Sequence, residues 1–259
     1  MYIDTHAHLN FKAFDKDLKE IITLAEKVGV KKIIIPGAKI DSGKKAIEIA
    51  NIFPNCYATI GIHPHHIHSI KLNEIKKELI ALIGDKGVIG LGEIGLDYHH
   101  YKGYPSVSKE DKKLQKEVFI NQLEIALAKN LPVIIHCREA FDDLIEIIST
   151  LEIAGVFHCF TGEKLHLKKI LEFGFYVGFD GNITYPENDF LRDLVKFTPI
   201  ERILLETDSP YLAPLPFRDK RNNPSNLVII AKMIAKLKSL TIEEIEKNTY
   251  HNAIKLFHL

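Results

Sequence analysis

Residues 132–137 read Pro132-Val133-Ile134-Ile135-His136-Cys137. Three β-branched apolar residues in a row suit a strand covered on both faces, as in a parallel sheet. Lys31-Lys32-Ile33-Ile34-Ile35-Pro36-Gly37 is built the same way. Strand-like runs recur at Tyr2–His6, Lys32–Pro36, Cys56–Gly61, Val88–Glu93, Pro132–His136, Gly155–His158, Phe175–Phe179 and Arg202–Glu206. Between them lie helical patterns over Asp17–Val28, Ser42–Asn51, Leu72–Leu82, Ser108–Lys129, Asp142–Thr150, Leu165–Phe173 and Pro224–Lys238, and another follows at Thr241–Phe257. Ser108 with Asp111 and Thr241 with Glu244 are spaced as capping boxes. Eight β/α units predict an α/β fold, a (β/α)8 TIM barrel with an extra C-terminal helix, as one domain over residues 1–259. An open doubly wound sheet is the rival arrangement. No linker, low-complexity tract or repeat interrupts the chain.

The bulk numbers agree with a globular chain. It has 259 residues, 46% hydrophobic and 26% charged, enough to bury a large core. Thirty-four Lys and Arg balance 34 Asp and Glu, so no global basic field drives binding to nucleic acid or membrane, and an anionic partner must be held locally. Three cysteines, Cys56, Cys137 and Cys159, form no disulfide framework. No run of about 18 apolar residues spans a membrane. With His6 and His8 in a site, the functional chain is expected to begin at residue 1 without a leader. The expected compartment is the cytoplasm.

Active sites of such barrels form at the C-terminal ends of the strands. Strand 1 ends in His6 and His8, strand 3 in His63, strand 4 in Glu93, strand 5 in His136, strand 6 in His158, and strand 8 in Glu206 and Asp208. Side chains alternate along a strand, so His6 and His8 share a face, with Asp4 one step deeper. By the same rule Cys137 and Cys159 point toward the helices, opposite to His136 and His158, and are poor ligands. A single histidine after a strand is ordinarily a cap or core residue, and one His-x-His pair is weak evidence. Agreement at five strand ends is different, because imidazoles and carboxylates buried together without a partner would be costly. A metal removes that cost. Six ligands exceed the four of tetrahedral zinc and fit two divalent ions about 3.5–4 Å apart. Glu93 is the natural bridge, with His6, His8 and Asp208 on one ion and His136 and His158 on the other. This ligand chemistry suits Zn, Mn or Fe, and Mg remains possible.

The stretches "IDTHAHL", "GIHPH", "GEIGLDYH", "IIHCREA", "FHCFTG" and "LLETDSPYLAP" resemble the motifs of the TatD family of metal-dependent deoxyribonucleases, which are amidohydrolase-like metal barrels. The resemblance runs in order from residue 3 to about residue 226. It implies a two-metal phosphodiesterase acting on DNA, a 3′→5′ exonuclease working on single strands or 3′ ends. It carries ligand roles to His6, His8, Glu93, His136, His158 and Asp208, and places His63, His65, Tyr98 and His99 near the substrate phosphate. The carboxylated lysine of the wider superfamily has no counterpart, since Glu93 stands at strand 4. Two places depart from the family. The loop after strand 8 commonly reads Arg-Gly-Lys-x-Asn-Glu-Pro, and here Asp219 replaces the Gly and Asn223 the Glu. Asn223 is expected to cap the following helix, while Asp219 adds a negative charge near an anion site. Asp180 stands where a small hydroxyl residue is common, and a loop cap is its expected role.

In the expected mechanism the metals lower the pKa of a bridging water and Asp208 accepts its proton. Asp97–Ser108 is the longest irregular stretch, with Tyr98, His99, His100, Tyr101 and Tyr104 around Lys102. It suits either base stacking or a lid over the barrel mouth. Arg138, Arg218, Lys220 and Arg221 are candidate phosphate grips or plain surface charges. His66 and His68 are expected to be exposed, and no protein partner is inferable. The competing functions are a D-aminoacyl-tRNA deacylase or other ester hydrolase with the same metals, and a binding barrel without turnover.

Overall fold

The structure, a computed structural model, describes all 259 residues. Eight strands lie in one parallel sheet in chain order: β1 (Tyr2–Asp4), β2 (Val30–Pro36), β3 (Cys56–Ile60), β4 (Val88–Asp97), β5 (Val133–Arg138), β6 (Gly155–Phe157), β7 (Tyr176–Phe179) and β8 (Ile203–Leu205). The helices are α1 (Leu18–Lys27), α2 (Ile40–Ile52), α3 (Leu72–Ile83), α4 (Lys109–Lys129), α5 (Phe141–Ile148), α6 (Lys164–Glu172), α7 (Asp189–Phe197), α8 (Leu227–Lys238) and α9 (Ile242–Phe257). The sheet closes on itself between β8 and the segment after β1. Thr5 N–H donates to the Leu205 carbonyl (3.0 Å), Asp208 N–H to that of His6 (2.9 Å) and His8 N–H to that of Ser209 (2.7 Å). The barrel, rather than the open sheet, is therefore the fold. No helix is long and apolar enough to cross a membrane.

The unbroken apolar runs are explained by two separate cores. Ile33, Ile35, Val133, Ile135, Val177, Ile203 and Leu205 face outward into the layer between sheet and helices. Ile3, Ile34, Ile134, Val156, Tyr176 and Leu204 face inward, where they meet Ala253, Leu256 and Phe257 of α9. The extra helix thus packs along β1 and β8 and seals the base of the barrel. Two residues beyond these inward positions come His136, His158, Gly178 and Glu206, so period-two geometry alone delivers the polar layer. Gly178 is required there, since a Cβ would lie 2.2 Å from Glu206 Oε2.

The local signals hold with three differences. Both capping boxes form, Ser108 with Asp111 (3.0 Å) and Thr241 with Glu244 (3.2 Å). The helix of the seventh unit, α7, was absent from the helical patterns marked above, although Leu191, Leu194 and Val195 give it a buried stripe. Strand β4 continues four residues past Glu93, and β1 ends at Asp4. Asp180 caps as expected: its Oδ1 accepts from Asn182 N–H (2.9 Å), opening a short 3-10 turn over Gly181–Thr184. Its Oδ2 is buried without a partner, and burial pushes the carboxyl up to about 7. Asn223 likewise accepts from Ser225 N–H (3.0 Å) ahead of α8. Asp219 sits at φ 70°, a left-handed conformation suited to Gly and tolerated by Asp.

Two stability measurements follow from this packing. Phe257→Ala opens the sealed base and should cost about 3–5 kcal/mol in urea unfolding; an unchanged midpoint would show that the helix is dispensable. Asp180 holds its proton in the folded chain up to about pH 7 but in the unfolded chain only to its ordinary 3.8. Its contribution is therefore complete below the lower value and is lost as pH rises through the higher. Asp180→Asn removes that loss, so its melting temperature relative to wild type should rise between pH 5 and pH 8 in chelating buffer. An offset independent of pH would contradict the assignment.

Candidate metal centre

The inward polar layer converges on one carboxylate. Glu93, on β4, is 3% exposed. Its Oε2 faces His6 Nε2 (3.5 Å) and His8 Nε2 (3.6 Å). Its Oε1 faces His158 Nε2 (2.7 Å), His136 Nδ1 (2.9 Å) and His63 Nε2 (3.4 Å). Asp208, beyond β8, brings Oδ1 to 3.7 Å from His6 Nε2 and 3.5 Å from His8 Nε2. His6, His8, Glu93, His136, His158 and Asp208 therefore meet in one place, with one oxygen of Glu93 turned to each half.

The donor atoms fit bound cations. His6 Nε2 and His8 Nε2 are 3.2 Å apart, as are His136 Nδ1 and His158 Nε2. Ligand atoms about 2.1 Å from an ion lie about 3.4 Å apart in a tetrahedron and about 3.0 Å apart in an octahedron. Tautomers follow from the partners. Asp97 Oδ2 lies 3.0 Å from His136 Nε2, so that nitrogen carries the proton and Nδ1 turns a lone pair toward Glu93. Two acceptors at 2.9 Å need a proton or a metal cation between them. His63 differs: its Nδ1 accepts from His65 N–H (3.1 Å), which puts the proton on Nε2 and makes His63 a donor. Burial lowers His6 and His63 to about 4, so both are neutral. Burial also opposes charge on His136, but with no cation between them Asp97 and Glu93 outweigh it and raise the imidazole to about 9, so a proton occupies Nδ1 until a cation displaces it. Burial acts to raise Glu93, yet His158, His63 and His136 hold it well below the usual carboxylate range.

The surrounding residues divide between the mouth and the scaffold. His65 Nε2 is 2.9 Å from Asp97 Oδ2, and its side chain is 44% exposed. Arg138 donates to the Tyr101 hydroxyl (3.1 Å) and lies over its ring. His99 pairs with Glu139 (2.5 Å) and donates its N–H to Asp97 (2.9 Å). Tyr98 points elsewhere: its hydroxyl donates to Asp143 on α5 (2.8 Å) and Lys112 of α4 covers its ring. Arg218 pairs with Glu187 (2.5 Å) over the Tyr185 ring, and Arg221 is bound to Asp17. Phe11 stacks on His8 (4.3 Å, 14° between planes), and the exposed Tyr211 meets Phe11 edge-on.

Two strand-end expectations change. Asp4 does not join the imidazoles; it accepts from Thr207 Oγ1 (2.6 Å), Thr207 N–H (3.0 Å) and His6 N–H (3.3 Å), tying the seam of the barrel. Cys137 does face the helix layer. Cys159 does not, because β6 ends at Phe157 and the residue turns to φ 43°, which leaves its thiol 3.7 Å from Asn182 Nδ2. Asp97 was missed as a site residue; it lies four past Glu93 on the same face of β4, a signal plain in the sequence once the strand is extended. Glu206, left without a role, accepts from Cys159 N–H, and burial raises its carboxyl well above the ordinary range.

Comparison with known proteins agrees with this geometry. The family model described as "TatD related DNase" matches residues 3–258. The chain is 38% identical over 263 residues to the uncharacterized metal-dependent hydrolase YabD of Bacillus subtilis, covering 100% of both chains. It is 33% identical over 267 residues to the protein named 3′-5′ ssDNA/RNA exonuclease TatD of Edwardsiella piscicida, covering 99% of each. The crystal structure of YJJV, a TatD homolog from Escherichia coli, superposes with a TM-score of 0.91 at 26% identity, covering 100% of this chain and 98% of that one. A match from the third residue to the last but one, on a barrel whose rim gathers these side chains, makes the chain a member of the TatD-related DNase family.

Proposed function

We propose that the protein is a metal-dependent hydrolase that cleaves phosphodiester bonds of single-stranded DNA from the 3′ end with two divalent ions. The observation that carries the reading is Glu93, buried at the barrel rim with each oxygen turned to a separate set of donors. In this reading His6, His8, Asp208 and Glu93 would hold one ion, and Glu93, His136 and His158 the other, with Glu93 shared between them. The ions supply Lewis acidity toward the phosphoryl oxygens and the attacking water.

The chain's own groups do the rest. Asp208 stays ionised, since His8 and His6 outweigh the effect of burial on its carboxyl, and it accepts the proton of the attacking water. His63 carries its proton on Nε2 and donates toward the oxygens gathered at Glu93. His65 and Arg138, at the open rim, meet the phosphate. Phe11 and Tyr211 offer aromatic surface beside His8 for the terminal bases, which suits unpaired strands. Overall neutrality favours recognition of a strand end over tracking of a long duplex. The printed name of the Edwardsiella relative supports a nucleic-acid substrate.

The test is digestion of end-labelled single- and double-stranded DNA by chelator-stripped protein with Zn, Mn or Mg added back. Metal-dependent shortening from the 3′ end is expected. His136→Ala should lower the rate by more than about 100-fold, beyond the usual cost of losing an outer-shell partner, while its circular dichroism spectrum stays unchanged. Full turnover in that variant would reject the centre. Hydrolysis of a D-aminoacyl-tRNA with DNA left intact would reject the substrate and keep the metals.

A further inference from the structure

Beside Glu93, Asp97 is a second point where donors from several segments of the mouth converge. Its Oδ2 lies 3.0 Å from His136 Nε2, 2.9 Å from His65 Nε2 and 2.8 Å from the Tyr101 hydroxyl. Its Oδ1 accepts from His99 N–H (2.9 Å). The backbone around it is clamped by the buried side chain of Gln115 on α4, which accepts from Asp97 N–H and donates to the Asp97 carbonyl, both at 2.9 Å. Both oxygens of a buried carboxylate are thus engaged, and none of its partners is another acid.

The distribution of support around the ring is uneven. The Nδ1 atoms of His6, His8 and His158 are buried with no hydrogen-bond partner. Only His136 has its outer nitrogen hydrogen-bonded to a carboxylate; His158 Nδ1 faces Glu206 Oε1 at 3.8 Å, beyond hydrogen-bond distance. An ionised carboxylate has no proton to give, so His136 must donate, and its Nδ1 is left basic and aimed at Glu93 and His158. The same oxygen anchors Tyr101, whose ring lies under Arg138 and edge-on to His65.

We propose that Asp97 is a positioning residue that sets the tautomer and orientation of His136, and so tunes one of the two ions, the one between Glu93 Oε1, His136 and His158, while tethering the rim residues Tyr101 and His65 to the same point. The inference rests on the two-ion reading above. It makes the two ions unequal: one depends on a carboxylate–histidine pair, and the other does not. It also joins the irregular segment after β4 to a ligand, so a change in that segment is felt first at the His136 side.

The experiment is calorimetric titration of Zn²⁺ into chelator-stripped wild type, Asp97→Asn, Tyr101→Phe and His136→Ala. Asparagine keeps the shape of Asp97 and removes its charge, and melting in chelator checks that the variants fold. Asp97→Asn should weaken one uptake event by about 10–100-fold and leave the other near wild type. The weakened event should be the one that His136→Ala abolishes. Tyr101→Phe, which removes one donor without touching a ligand, should shift the same event by a smaller factor. Wild-type affinity for both ions in Asp97→Asn, or an equal loss in both, would overturn the assignment of Asp97 alone. Failure of the wild type to take up any ion would overturn the metal centre and this inference with it. If uptake is a single event in the wild type, an unchanged event in Asp97→Asn overturns the assignment.

Discussion

A buried anion must find positive charge, and Glu93 is where that constraint is concentrated. A carboxylate 3% exposed and ringed by five imidazoles and the neighbouring Asp208 is stable only if protons or metal ions lie between it and its neighbours. No short stretch of chain can surround one group in this way. The donors come from β4, β5, the ends of β1, β3 and β6, and the segment after β8, and only a closed sheet points all of them at a common axis. The fold is thus the device that makes the charge cluster affordable.

Closure brings its own requirement, met at the seam. His6 and His8 come from one end of the chain and Asp208 from near the other. Their backbones are joined directly, Asp208 N–H to the His6 carbonyl and His8 N–H to that of Ser209. Asp4 reinforces the join through Thr207. One half of the cluster of imidazoles and carboxylates therefore sits on the line where the barrel closes, and its geometry depends on that closure. The other half sits on β4 and β5, paired over a long register from Leu91 to Arg138.

Much of this was legible in the sequence because it follows from periodicity. An apolar run ending in His136 or His158 is read the same way in one dimension as in three, and two-residue alternation sends both imidazoles inward. The readings that failed did so where alternation was stopped too early or carried too far. Taking β4 to end at Glu93 hid Asp97, which shares its face. Extending β6 through Cys159 turned that thiol the wrong way, since the residue already lies in a left-handed turn. Tyr98 shares no face with Glu93 and is spent on α4 and α5, so nearness in sequence to the site was misleading there. Arg218 and Arg221 illustrate a different limit: a basic residue in a loop shows its charge in the sequence but not the acid, Glu187 or Asp17, that already neutralises it.

The helix that stoppers the floor of the barrel has a kinetic corollary. A cup with one doorway forces traffic in both directions through the same opening. Under the proposed activity, a cleaved nucleotide could not drain out of the far end while the strand advances; it would have to depart past the incoming chain or wait until that chain lifts off. A strand-cutting hydrolase of this shape would let go between cuts, with its pace governed by how quickly the threshold clears rather than by bond breaking itself.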